Sequence, residues 1–310
     1  MSRREGDRPP GVTALLTAFG DPPPPATVTQ QQFDGNEQAL VRLADPASLF
    51  TDHDLVEYCH DLKYMPLQPD LFRYVFPRLL AWWREDLLYT SGTALTEHVE
   101  HALTTRRFDG DWLLDRYARP PERDAVLTFV HDLVLELMDA EGCLIYSGSG
   151  VAPYRWVSLW TESACWLPLV GRAIAEWWSC PTPGRAIALL EYVSCLAYAK
   201  HENPIFTPWT PIGGGGPPCL WTMGGLGSEP CWLSQNLHDL GSALHINRII
   251  EAVGAACMTL EGHPQFSVAA TIQRDLGART DRVRARVDEL MGILSEPSRA
   301  AVYWSDEEER

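Results

Sequence analysis

The run TEHVEH places Glu97, His98, Glu100 and His101 side by side, and these residue types together suit zinc, iron or manganese. On a helix, His98 and His101 fall three apart and share a face. The pattern is neither the HExxH of zinc peptidases nor the Glu-x-x-His of di-iron bundles, and the surrounding TALTEHVEHALTTRR reads as an exposed amphipathic helix. No metal site is assigned to it. A second donor set, Cys219, Cys231, His238 and His245, lacks the short chelating pairs of structural zinc sites and is discounted for that reason.

Nucleophilic catalysis needs a serine or cysteine brought to a histidine base and an orienting carboxylate. Ser149 in YSGSGV lies between glycines, but without the GxSxG order between a strand and a helix it reads as a turn residue. The Gly213 to Gly216 run is followed by proline rather than by GK[ST], so it is no phosphate cradle. The sequence therefore assigns no catalytic residue and no cofactor.

The segment that asks for a special explanation is Pro204 to Trp232, PIFTPWTPIGGGGPPCLWTMGGLGSEPCW, set between two amphipathic runs. Loops this long inside a domain are commonly binding or lid loops, and its tryptophans Trp209, Trp221 and Trp232 argue against a plain linker. Rigid flanks present an aromatic ring at low entropy cost, as interface anchors do. With the nearby carboxylates Glu229 and Asp239, these three rings form the expected partner-binding set. The sequence leaves open the alternative that the loop folds back and buries its rings.

Charge narrows the partner. Against 41 acidic side chains stand 25 basic ones, a formal net charge of −16, which disfavours nucleic acid and anionic membrane surfaces and would steer cationic partners. No apolar run approaches the roughly 20 residues of a membrane span, and the eight cysteines are spread through apolar contexts as reduced core residues. A cytoplasmic location is expected. The reading that follows is a non-enzymatic acidic binding protein, of the kind an inhibitor or immunity-type partner of a basic protein would be. The alternative is a metal-dependent or Cys/His hydrolase whose site is assembled only in three dimensions.

The elements that must carry these residues read as helices. Apolar positions recur at helical spacing through most of the chain from Asn36 to Leu294, and strand-like residues gather only between Cys143 and Trp160. An all-α fold of about ten to twelve helices is expected, with at most a minor hairpin at 143–160. Residues 1–32, rich in proline and glutamine, read as a flexible leader, 33–304 as one helical domain with the 204–232 loop, and 305–310 as an acidic tail. Thr51 and Asp54 have the form of a capping box, and Pro77 is expected to kink or divide the helix from Asp70 to Leu88.

Overall fold

A computed structural model describes residues 10–89, 94–144, 155–198, 202–205 and 232–295. The fold is all-α: among the described residues there are fourteen helices and no strand. The chain divides into two compact units, Met1–Leu133 with Gly150–Ala152, and Val134–Ser149 with Pro153–Arg310, where one domain was expected. No helix among the described residues is long and apolar enough to cross a membrane.

The first unit holds α1 (Pro10–Ala18), α2 (Glu37–Ala44), α3 (Asp52–Tyr64), α4 (Pro69–Tyr89), α5 (Ala94–Thr104), α6 (Leu113–Tyr117) and the first part of α7 (Pro120–Leu144). Val12, Leu15, Leu16 and Phe19 form one buried stripe at helical spacing, and the Phe19 ring lies 6.3 Å from Phe72 and 6.0 Å from Phe76 of α4. The two glutamines beyond it are buried as well. Gln30 donates to Asp61 Oδ2 at 2.7 Å and accepts from the Gln68 amide at 2.8 Å, while Gln32 donates to the Glu57 carbonyl at 2.8 Å. Helix α1 and the two glutamines thus pack into the first unit, where a flexible leader was expected over 1–32, while residues 20–29 between them run along the surface. The polar composition misled because each buried amide has its hydrogen bonds met. Residues 1–9 and the tail 305–310 lie outside the described residues.

The capping box at α3 is present in full. Asp54 donates its amide to Thr51 Oγ1 at 3.3 Å, and Thr51 donates its amide to Asp54 Oδ2 at 2.8 Å. Burial pushes the Asp54 carboxyl up, but hydrogen bonds from Arg42 and Thr51 outweigh it and hold the group below the usual carboxylate range. Helix α4 runs unbroken through Pro77. An interior proline costs about 3 kcal/mol, and here the buried stripe of Leu71, Phe72, Val75, Phe76, Leu79, Leu80 and Trp83 offsets it.

The second unit holds the rest of α7, then α8 (Arg155–Ser163), α9 (Val170–Trp177), α10 (Pro183–Ala197), α11 (Ser234–Ala243), α12 (Ile246–Thr259), α13 (Phe266–Ala278) and α14 (Thr280–Ser295). Helix α7 extends to Leu144. The hairpin expected at 143–160 is corrected where it can be seen: 155–160 is helical, and 145–154 lie outside the described residues. Trp156 and Trp160, four apart and both buried, supply a helical stripe that overrides the β-propensity of their neighbours. These two rings, with Trp177 and Tyr192, form an aromatic box whose contacting centroids stand 5.1 to 6.0 Å apart, with Trp177 and Tyr192 tilted and the other contacts edge-on.

Candidate functional site

Of the five residues expected to bind a partner, Trp209, Trp221 and Glu229 lie outside the described residues. Trp232 is described and is only 3% exposed, its ring edge-on to Trp160 at 5.8 Å, and the next amide, of Leu233, donates to the Ala164 carbonyl at 3.1 Å. This indole extends the aromatic box, so the expectation of an outward-facing anchor is corrected at this position. Burying the ring removes apolar surface worth a few kcal/mol, and the box supplies edge-on partners.

Asp239 lies on a cleft of about 500 Å³ formed by α9, α11 and α12. The cleft is built by helix register. In α9, Val170, Ala173, Ile174 and Trp177 turn inward, which leaves Gly171 facing α11. A Cβ on Gly171 would come within 2.6 Å of Asp239 Oδ2, so only glycine lets the carboxylate sit where it does. Asn236, one helical turn before Asp239, is fully buried and locks α11 to the start of α9. Its amide donates to the Ala164 and Leu167 carbonyls at 2.8 and 2.7 Å, and its oxygen accepts from the Val170 amide at 3.2 Å.

At the far end of α9, Cys180 takes a positive φ of 49°, and its carbonyl accepts from Thr259 Oγ1 at 2.7 Å, which ties this turn to the end of α12. The floor of the cleft is apolar, from Ile174, Trp178, Ala243 and Ala252, all buried. Its rim carries Asp239, Ser242, Arg248 and Glu251. Two carboxylates and one guanidinium over an apolar floor can seat a side chain that is apolar along its length and cationic at its tip.

In the first unit the histidines singled out from sequence acquire a third. His60 of α3 stands edge-on to His98 of α5, ring centroids 4.8 Å apart, and its Nδ1 lies 2.5 Å from Asp34 Oδ2. Lys63 Nζ sits against His101 Nε2. Partial loss of solvent lowers the pKa of half-buried His98 and of His101, whose ring is exposed on its outer side, and the neighbouring groups, His60 for the first and Lys63 with the other imidazoles for the second, lower them further. Among the described residues no group of three or more His, Cys, Asp or Glu is arranged to hold a metal ion. His238 and His245 are both exposed, on α11 and at the start of α12, whereas Cys219, Cys231, Ser149 and the Gly213 to Gly216 run lie outside the described residues.

Sequence reasoning found Asp239 but missed the cleft around it. One legible signal was Gly171, which costs roughly 1 kcal/mol against alanine in the helical run VGRAIAEW and so marks a close approach. Asn236 carried no comparable signal, because a polar residue near a helix start has the look of a surface position. Comparison with known proteins adds no relative: no family model matches the chain, and no curated protein or solved structure is significantly similar to it.

Proposed function

We propose that this is a non-enzymatic binding protein that receives a basic segment of a protein partner in the cleft between α9, α11 and α12. The observation that carries the reading is the pairing of an apolar floor with the Asp239 and Glu251 carboxylates at the rim. A lysine or arginine of the partner would lay its methylenes along Ile174 and Trp178 and bring its charge to the carboxylates. Arg248, on the same rim, supplies a donor for a backbone carbonyl of the incoming segment. The net charge of −16 adds a field of the sign that speeds encounter with such a partner. An inhibitor or immunity-type role, in the cytoplasm, is the setting that this chemistry suits.

The test is direct binding of short peptides that carry an apolar residue beside lysine or arginine, with charge-reversed peptides as the comparison. Basic peptides are expected to bind in a salt-sensitive manner and to lose about tenfold in affinity with Asp239→Asn combined with Glu251→Gln. A preference for acidic peptides, or binding indifferent to both substitutions, overturns the reading.

A further inference from the structure

The contact between α3 and α5 in the first unit carries a feature that the partner cleft does not use. We propose that this seam is an acid-sensitive latch, loosened when His98 and His101 take up protons beside His60 and Lys63. The geometry places three imidazoles and one ammonium along a single helix contact. His98 touches His60 edge-on at 4.8 Å, and His101, at the exposed edge of the contact, meets the Lys63 ammonium. An uncharged imidazole tolerates an ammonium because its ring nitrogen can accept a hydrogen bond. An imidazolium beside that ammonium is two like charges in contact.

The surrounding charges do not cancel this. On the α3 side, Asp34 is engaged by His60 Nδ1, and Glu57 faces His53 at 2.9 Å and Asn36 at 2.5 Å. Asp61 is turned to Gln30 and to the Phe33 amide. From α4, Asp86 accepts from Thr96 of α5 at 2.7 Å. From α6, Asp115 pairs with Arg123 at 2.8 Å and Arg116 with Asp111 at 3.7 Å. Arg107, just beyond α5, spends its guanidinium on the Leu62 and Met65 carbonyls. On α5 itself Glu97 pulls His98 the other way, and Glu100 precedes His101, yet both histidines remain below their ordinary pKa.

The direction of the effect follows. A base whose folded pKa lies below its unfolded value contributes full stability above about 6.5, and that stability is lost as pH falls from there through the lower folded pKa, since the open form binds more protons over that range. Loosening would expose Leu95, Val99, Ala102 and Leu103, the buried face of α5. Acidification would thereby turn a packed helix into an apolar surface.

The experiment is hydrogen exchange of the full chain, with a chelator present, at about pH 7.5 and about pH 5.5, corrected for intrinsic exchange. Opening of α5 is expected to rise on acidification at least about fivefold more than opening of α4, and His98→Gln with His101→Gln is expected to remove the difference. Equal responses of α5 and α4, or an unchanged response in the double variant, overturn the proposal. Ring-proton titration of the unmodified protein is a second check that needs no variant: midpoints for His98 and His101 at or above about 6.5 overturn it as well.

Discussion

Asn236 and Asp61 show how much a single buried polar side chain decides. Asn236 closes three hydrogen bonds between α11 and the turn that starts α9. Asn236→Ala leaves the Val170 amide and the Leu167 carbonyl without that partner, at an expected cost of about 2–4 kcal/mol in denaturant unfolding. Asn236→Asp is expected to cost more, because it sets a carboxylate against two carbonyl oxygens. Asp61 answers to pH instead. Burial pushes its carboxyl up to about 6, against the pull of hydrogen bonds from Phe33 and Gln30. An acid raised in this way contributes stability below about 4 that is lost as pH rises through 6. A carbon-detected titration should place its midpoint near 6, and an ordinary value near 4 would contradict the burial argument. Neither residue could be picked out from sequence, where Asn236 and Asp61 look like any polar position on an amphipathic helix.

At the scale of elements, two glycines separate rigid from yielding contacts. A Cβ on Gly184 at the start of α10 would lie 2.6 Å from the Asp139 Cα and 2.8 Å from the Met138 carbonyl of α7, all backbone atoms that cannot step aside. Gly184→Ala is expected to cost about 3 kcal/mol or more and to lower the thermal midpoint accordingly. The same substitution at Gly171 meets only the Asp239 side chain, which can rotate. Gly171→Ala should change stability by no more than about 1 kcal/mol, since the helix gains propensity, while displacing Asp239 and weakening basic-peptide binding. That split between stability and affinity, read by calorimetry on one sample, tests the cleft independently of charge. Amphipathic spacing, with the Thr51–Asp54 capping pattern, made α3 legible in the sequence alone. It did not show that α11 and α12 part at Leu244 and His245, nor that α4 would survive Pro77.

Across the whole molecule, the division into two units and the docking of the N-terminal segment bear on how the chain can be handled. Leu15 is fully buried, Phe19 nearly so, and Gln30 and Gln32 bond into α3, so removal of residues 1–32 should destabilise the first unit rather than trim a loose end. A milder probe, Leu15→Ala, is expected to lose about 2–5 kcal/mol in chemical unfolding. A truncated chain with undiminished stability would show that this stripe contributes little. The excess of acidic side chains acts at the same scale: binding through the cleft should weaken with added salt, because the long-range part of the attraction is screened beyond about 10 Å at 0.1 M.

Composition and periodicity alone determined that this chain is helical, that it is acidic, and where most of its helices run, because amphipathic spacing is a local property that each segment carries within itself. The tertiary structure decided which polar residues are inside, that His60 joins His98, that Trp232 belongs to the aromatic box, and that Asp239 overlooks a cleft. Those facts depend on residues far apart in the chain meeting across helix contacts, and no local pattern records a distant partner.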